Sequence, residues 1–186
     1  MTHRWKTAKW GEASVDLRLG FQFTMLEEIP GFKVSIAQGL SALAKSGFWK
    51  DLTLAEFNKL GQRETFVLEP KKFVLALTRE IVKIPRNLIG LVEGRTTYAR
   101  VGLSMHQTAP WIQPGWEGPI VLEMMNDGPL DIVLTPLIDR PCQLTFLRLN
   151  KALPKELAYG LKAVDSYQGQ SHPLKAAKKN TLKPAK

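Results

Sequence analysis

The sequence is poor in cysteine and has no long apolar run. Cys142 is its only cysteine, which excludes an intramolecular disulfide and a zinc site of several thiolates, and which fits a reducing compartment. No uninterrupted apolar stretch approaches the roughly 20 residues that a membrane-spanning helix needs. Residues 1–10 are polar and basic, with no apolar run behind them. The sequence therefore predicts a soluble, cytoplasmic protein without a membrane partner.

Acidic residues are missing from the C-terminal end of the chain. The formal net charge is +9, and the last twelve residues hold no acid but five lysines: Lys175, Lys178, Lys179, Lys183 and Lys186. Two interpretations are open, a solvated tail and a nucleic-acid-binding arm. The solvated tail is favoured, because no aromatic residue is interleaved to stack on bases. The rest of the chain is mildly basic, which suits a small phosphorylated ligand.

Strand patterns dominate the chain, and helical patterns are scarce. With 186 residues and 44% hydrophobic residues, the chain can bury one core and predicts a single domain. Apolar residues at every second position from Val15 to Phe23 predict a first strand. Further strands are predicted at 65–68, 73–78, 81–84, 88–92, 120–125, 132–134 and 143–149. Short strands at close spacing indicate an all-β, antiparallel, jelly-roll-like body with short helices.

The predicted domain boundaries follow the changes in pattern. A short N-terminal segment (1–13) precedes the β domain (14–150). Within it, helical spacing between Ile36 and Ala44, followed by Leu54, Phe57 and Leu60, predicts an insert of one or two short helices at about 34–60. An arm (151–170) rich in turn residues and a basic, flexible tail (171–186) complete the chain.

Residues 94–123 are the segment densest in chemically capable side chains. The predicted strand 88–92 runs into Gly94, and residues 96–100 can form one helical turn. Such a junction can direct backbone N–H groups and the hydroxyls of Thr96 and Thr97 at a phosphate, with Arg95 as a charged donor. The alternative remains open that Thr96 caps a short helix and that Arg95 is a surface charge.

Glu123 interrupts the apolar pattern of its own strand. It shares a face with Val121, where an apolar residue would ordinarily continue the strand. Two interpretations are open: a solvated strand end, which the position alone favours, and a pocketed carboxylate tuned for proton transfer. His106, nearby, is more typical of a hydrogen-bonded structural histidine than of a ligand.

Several catalytic motifs are missing. There is no His-x-Glu followed by Pro-Cys-x-x-Cys, since Pro141-Cys142 continues as Gln143-Leu144, and this excludes the zinc-dependent route to base deamination. There is also no phosphate-binding Walker loop and no Gly-x-Ser-x-Gly elbow. Any hydrolysis would therefore use a carboxylate and an ordered water.

Six segments of the chain carry a resemblance to a known family. They are Gly-Arg-Thr-Thr-Tyr-Ala-Arg-Val-Gly-Leu (94–103), Thr-Ala-Pro (108–110), Pro-Gly-Trp-Glu-Gly (114–118), Ile-Val-Leu-Glu (120–123), Ser-Val-Asp-Leu-Arg-Leu-Gly (14–20) and Tyr-Gln-Gly-Gln (167–170). In their order along the chain and in their spacing, these segments resemble the dCTP deaminase family. The resemblance implies a dUTPase-like distorted jelly-roll or β-barrel, a homotrimer with active sites at subunit contacts, and dCTP bound as its Mg²⁺ complex without zinc.

The resemblance also implies roles for individual residues. Glu123 would be the acid/base that takes a proton from water attacking C4 of cytosine. Thr96 would hold that water together with the carbonyl of Ala109, and Arg100 would orient and support the glutamate. The implied nucleotide-binding residues are Arg95, Thr97, Gln113, Trp116, Val121, Leu122, Tyr159 and Gln170, with Trp116 as pocket wall and Tyr159 and Gln170 closing over the nucleotide.

Three positions depart from the family pattern and keep alternatives open. Thr96 replaces a serine, Gln113 an aspartate placed against the sugar 3′-hydroxyl, and Ser166 a lysine that meets the triphosphate, for which Lys162 or a tail lysine could compensate. Because a glutamine cannot act as the base of a dUTP pyrophosphatase, Gln113 and Glu123 favour a deaminase that yields dUTP and ammonia. A bifunctional enzyme yielding dUMP and a non-catalytic nucleotide-binding protein are the alternatives.

Overall fold

A computed structural model describes residues 9–10, 13–28, 30–31, 33, 35, 47–162, 165 and 167–174 of the chain. These residues form short strands and almost no helix, so the predicted all-β class is confirmed. The strands are β1 (Lys9–Trp10), β2 (Val15–Leu17), β3 (Leu19–Leu26), β4 (Trp49–Thr53), β5 (Phe66–Leu68), β6 (Phe73–Thr78), β7 (Val82–Lys83), β8 (Leu88–Gly94), β9 (Leu103–Ser104), β10 (Trp111–Ile112), β11 (Glu117–Gly118), β12 (Val121–Asn126), β13 (Ile132–Leu134) and β14 (Cys142–Arg148).

Helical structure is limited to two short turns in the described residues. A four-residue helix, α1 (Thr96–Ala99), follows β8, and a 3-10 turn spans Lys155–Leu157. None of the helices in these residues is long and apolar enough to span a bilayer.

Two five-stranded antiparallel sheets form the body. One has the order β1-β2-β14-β8-β10 and the other β4-β3-β6-β12-β9, and two antiparallel two-stranded sheets, β11-β7 and β13-β5, complete the body. Apolar residues from both sheets share one core, which includes Val15, Leu17, Val92 and Leu144 from the first sheet and Phe23, Val74, Ala76, Leu122 and Met124 from the second. This is the layered arrangement expected of a jelly-roll-like fold, because each sheet buries one face against the other.

The predicted first strand is in fact two strands that belong to different sheets. β2 pairs with β14, whereas β3 pairs with β6 and carries a register irregularity between Leu19 and Phe23. The chain changes sheets at Arg18, whose backbone N–H and Nε both donate to the buried Glu80 carboxylate at 2.8 and 2.7 Å. A Cβ on Gly20 would lie 2.8 Å from the carbonyl oxygen of Leu77, so the crossing needs a glycine there.

The helical insert predicted at about 34–60 is wrong over its second half. Trp49–Thr53 is strand β4, which pairs with β3 from Gln22 to Leu26, and no helix lies between residues 47 and 60. Strand β4 extends an existing sheet edge, and Leu54, Phe57 and Leu60 follow it in residues without regular secondary structure. The helical pattern from Ile36 to Ala44 falls outside the described residues.

The arm folds back along the body. Leu153 N–H donates to the carbonyl of Arg86, and Tyr159 N–H to that of Pro114. Further along, Nε2 of His172 lies 3.0 Å from the Asp51 carboxylate on β4. The arm is therefore folded against the body beyond residue 170, and its described residues 171–174 belong to the segment predicted as tail.

Candidate active site

Strand β12 presents Glu123 to a cavity. Leu122 and Met124 point into the core, with 1% and 0% of their surface exposed. Val121 and Glu123 lie on the opposite face and are half-buried. Glu123 pairs in register with Leu75 of β6, and both residues line a cavity of about 420 Å³. Glu123 thus lies half-buried at a cavity and is not a fully solvated strand end.

The cavity is walled mainly by aromatic and aliphatic side chains. Its described lining residues are Trp49, Phe73, Leu75, Trp111, Ile112, Gln113, Trp116, Ile120, Val121, Glu123, Tyr159, Tyr167, Gln170, Pro173 and Leu174. Glu123 is the only ionisable carboxylate among these residues, and none of them is a lysine or arginine. An apolar cavity of this size with a few convergent polar groups is typical of a small-molecule site.

Segment 105–107 holds Glu123 from the side opposite β6. Glu123 N–H donates to the Met105 carbonyl at 3.0 Å. The backbone N–H of Gln107 donates to Oε2 of Glu123 at 3.1 Å, and the Gln107 side-chain amide donates to the Glu123 carbonyl at 3.4 Å. The strand N–H, the strand carbonyl and the carboxylate of Glu123 are thus all tied to this segment.

The C-terminal arm supplies one wall of the cavity. The ring of Tyr159 lies against Trp116, with centroids 5.5 Å apart, and its hydroxyl accepts the Tyr167 N–H at 3.3 Å. Burial raises the pKa of both tyrosines above the ordinary value of 10.0, so both hydroxyls keep their proton at neutral pH. Gln170 is 3% exposed, and its amide donates to the carbonyls of His172 and Pro173.

Helix α1 lies at the end of β8, as the pattern at Gly94 predicts. Its N-cap is Arg95, without a side-chain capping hydrogen bond, so Thr96 is the first helical residue rather than the cap. Arg95 is not a free surface charge either: its Nε lies 3.4 Å from the Asp16 carboxylate, and its guanidinium donates to the Arg140 carbonyl at 3.0 Å. Thr96, Thr97 and Arg100 are exposed and free to meet a ligand or a neighbouring chain.

The hydroxyl of Tyr98 fastens α1 to the loop before β14. It donates to the Asp139 carboxylate at 2.8 Å and accepts the Arg140 N–H at 3.1 Å. The other oxygen of Asp139 accepts the Thr135 N–H at 2.6 Å. The helix that carries Thr96 and Arg100 is therefore held by a small polar network.

The structure gathers one part of the residue set that the sequence suggested. Gln113, Trp116, Val121, Glu123, Tyr159 and Gln170 line the cavity together. The Leu122 side chain lies in the core, so only its backbone could reach a ligand. The described lining of the cavity does not include Arg95, Thr96, Thr97, Arg100 or Ala109, all of which lie on or near α1 and the 105–110 segment.

The positions that depart from the family pattern differ in their surroundings. Gln113 is exposed at the cavity. Lys162 is exposed and lies 3.9 Å from the Asp165 carboxylate, and Ser166 falls outside the described residues.

His106 is half-buried, with Nε2 3.4 Å from Glu93 and a buried Nδ1 that has no hydrogen-bond partner among the described residues.

Sequence reasoning missed several cavity residues, most of which come from outside residues 94–123. Trp49 lies in the part of the insert that was predicted as helix, and Pro173 and Leu174 in the predicted tail. Trp111 precedes the family motif around Trp116, and Tyr167 belongs to the Tyr-Gln-Gly-Gln motif. That motif was the one local signal that could have identified a wall residue.

Comparison with known proteins agrees with the motifs. Residues 2–149 match the family described as dCTP deaminase-like. The dCTP deaminase of Histophilus somni (strain 2336) is 37% identical over 136 residues, which cover 73% of this chain and 69% of that protein. A protein named dCTP deaminase, dUMP-forming, from Methanosphaera stadtmanae is 36% identical over 165 residues, or 87% of this chain and 76% of that protein.

A solved structure agrees with the fold. The 2′-deoxycytidine 5′-triphosphate deaminase from Agrobacterium tumefaciens superposes with a TM-score of 0.56 at 21% identity, over 81% of this chain and 42% of that one. This chain thus spans less than half the length of that deaminase, and the likeness shows a shared fold. Since the family match covers most of the sequence, the chain belongs to the dCTP deaminase-like family.

Proposed function

We propose that the protein hydrolytically deaminates the cytosine of dCTP, with Glu123 as the general acid/base. The observation that carries the proposal is the placement of Glu123 as the only carboxylate among the described lining residues of an aromatic cavity. A planar pyrimidine suits such walls, because aromatic and aliphatic surfaces pack on its faces. A half-buried carboxylate beside it can exchange protons with a bound water.

The proposed reaction needs one water and returns one ammonia. Glu123 takes a proton from the water as its oxygen bonds to C4, and delivers that proton to N3. Glu123 then moves the second proton from the C4 hydroxyl to the amino group, the C4–N bond breaks, and ammonia leaves as the C4 carbonyl forms. The sum is dCTP plus water giving dUTP plus ammonia, a hydrolase reaction in which the carboxylate ends as it began. Thr96 and the Ala109 carbonyl would hold the water, and Arg100 would support the carboxylate.

A pocket shared between subunits of a homotrimer accounts for the residues that one chain leaves apart. The described lining of the cavity carries no cation, yet a triphosphate needs several positive partners. Thr96, Thr97 and Arg100 are exposed on α1, where a neighbouring chain can be reached, with Arg95 at its start. In this arrangement α1 of one subunit completes the cavity of the next.

Complementation tests the shared pocket. Glu123→Gln and Arg100→Ala each remove one side of the site, so each alone should be inactive. Unfolding and refolding a mixture of the two should restore part of the wild-type rate, because some mixed trimers then hold an intact Glu123 opposite an intact Arg100. No recovery in mixtures that form trimers by light scattering would refute the shared pocket.

The triphosphate would enter as its Mg²⁺ complex. In this proposal the ion is held through the phosphates of the nucleotide and not by a metal site of the protein. The protein would act in the cytoplasm, where dCTP is present.

A bifunctional reaction that ends at dUMP is the second candidate. The observation in its favour is the dUMP-forming name of the Methanosphaera stadtmanae relative, which is 36% identical over 87% of this chain. Against it stands Gln113, whose amide cannot act as a general base on water. We therefore expect dUTP as the product.

Product analysis separates the candidates. The pure protein is incubated with dCTP and Mg²⁺, ammonia is measured, and the nucleotides are separated by chromatography. Ammonia with equimolar dUTP supports the proposal, and dUMP with pyrophosphate indicates the bifunctional route. Nucleotide binding without ammonia release would refute the deaminase and leave a binding protein.

A further inference from the structure

Segment 105–107 continues the edge of the β12 sheet by an unusual means. The β9–β12 ladder pairs Met125 with Ser104 and Asn126 with Leu103. Past this ladder, the backbone of Met105 still accepts the Glu123 N–H at 3.0 Å. The Glu123 carbonyl, however, receives its hydrogen bond from the side-chain amide of Gln107, at 3.4 Å. A side chain thus takes the place of the next strand residue.

The same residue also touches the carboxylate. The Gln107 N–H donates to Oε2 of Glu123 at 3.1 Å. Within the part of the chain that the structure describes, Oε1 of Glu123 accepts no hydrogen bond, so one oxygen is held while the other can still accept one from a bound water. A carboxylate held in this way presents one defined lone pair to a bound water, which is what a general base requires.

We propose that Gln107 is a positioning residue: its side-chain amide fixes the backbone of Glu123, so that the Gln107 N–H can hold the carboxylate in its reactive orientation. The inference rests on the proposed function of Glu123. Gln107 itself is exposed and is not among the described lining residues of the cavity. Its effect is therefore on the orientation of Glu123 and not on the binding of substrate.

The test replaces Gln107 with methionine, which keeps the length of the side chain but has no N–H to donate. Loss of one hydrogen bond of this length should lower kcat for dCTP deamination by about threefold to tenfold, with KM unchanged. Gln62→Met is the matched control: it removes an exposed glutamine amide that bonds only within the 58–62 turn, and it should leave both constants unchanged. An unchanged kcat, or a rise in KM alone, would overturn the proposal.

A second measurement tests the positioning role of Gln107 without relying on dCTP deamination. Carboxylates of the folded protein are labelled with a water-soluble carbodiimide and an amine, and the labelling rate of Glu123 is followed by mass spectrometry. In Gln107→Met, Glu123 should be labelled severalfold faster than in the wild type, while the exposed Glu69 keeps its rate. An equal rate at Glu123 would overturn the positioning role even if the enzyme deaminates dCTP. A wild type that releases no ammonia would instead refute the proposed function.

Discussion

Removing the hydroxyl of Tyr98 tests how α1 is held. Tyr98→Phe keeps the ring, which packs against the core, and deletes the hydrogen bonds to Asp139 at 2.8 Å and from Arg140 N–H at 3.1 Å. Asp139 keeps its bond from Thr135, so the carboxylate stays partly satisfied, whereas the Arg140 N–H loses its hydrogen bond to the Tyr98 hydroxyl.

The expected cost follows from these two bonds. A hydrogen bond to a charged group contributes about 1.5–3 kcal/mol and a neutral one about 1 kcal/mol. Since the network is only partly buried, we expect a loss of about 1–2 kcal/mol in the free energy of unfolding, which corresponds to a fall of roughly 2–8 °C in Tm for a chain of this size.

The stability that the Tyr98 hydroxyl contributes should decrease at high pH. Burial, which is the largest cause, together with the hydrogen bond to Asp139 raises the pKa of Tyr98 above its ordinary value of 10.0. The folded protein therefore keeps the phenol proton at a pH where the unfolded chain loses it. This stabilisation is complete below about pH 10 and is lost as pH rises through the folded-state pKa. The difference in the free energy of unfolding between the wild type and Tyr98→Phe should therefore become smaller above pH 10.

Urea unfolding at pH 7 and between pH 10 and 11 measures both effects. Tyr167→Phe is the matched control, because its hydroxyl has no hydrogen-bond partner among the described residues, and it should cost less at pH 7. If Tyr98→Phe were as stable as the wild type at pH 7, the hydrogen bonds of the Tyr98 hydroxyl would not contribute to holding α1.

Two further predictions concern the close contact between Gly102 and Gly128 and the attachment of the C-terminal arm. Gly102 has φ +90°, and a Cβ there would lie 2.3 Å from the Gly128 nitrogen, so Gly102→Ala should cost well over the roughly 1–2 kcal/mol of a left-handed alanine. Gly61→Ala, with φ +72° and open space around it, should cost only that much; equal Tm losses would contradict the close approach. Gln168→Ala removes two hydrogen bonds to the 115–117 turn, of 3.1 and 3.2 Å. The substitution should speed tryptic cleavage of the arm and raise KM for dCTP by a few fold. An unchanged cleavage rate would show that the Gln168 hydrogen bonds do not hold the arm.

The strand pattern predicted most of the fold, because burial of one face imposes a period of two on the sequence. Segments 73–78 and 132–134 were located to the residue. The change of sheet at Arg18 could not be predicted, because the alternation of apolar residues is the same whether or not a strand changes its pairing partner. Strand β4 was missed because the edge of an existing sheet selects its conformation, and its own spacing does not.

Apart from Tyr159 and Gln170, which the family resemblance supplied, the cavity residues were predictable only where they are neighbours in sequence. Glu123 stood out because it breaks the apolar face of β12, and Trp116 and Gln113 lie close to it in the chain. Trp49 and Leu174 reach the cavity through the folding of β4 and the arm, and neither position has a local signal. Thr96 and Arg100 on α1 are not among the described residues that line the cavity with Glu123, which fits the proposed pocket completed by a second subunit.

The most direct test of Glu123 as the acid/base is ammonia release from dCTP by Glu123→Gln, measured beside nucleotide binding by calorimetry. The amide keeps the shape of the side chain but cannot take a proton, so the rate should fall by at least about a hundredfold while dCTP binds as in the wild type. Glu69→Gln, an exposed carboxylate outside the cavity, should leave both unchanged. Wild-type ammonia release by Glu123→Gln would contradict the assignment of Glu123 as the acid/base.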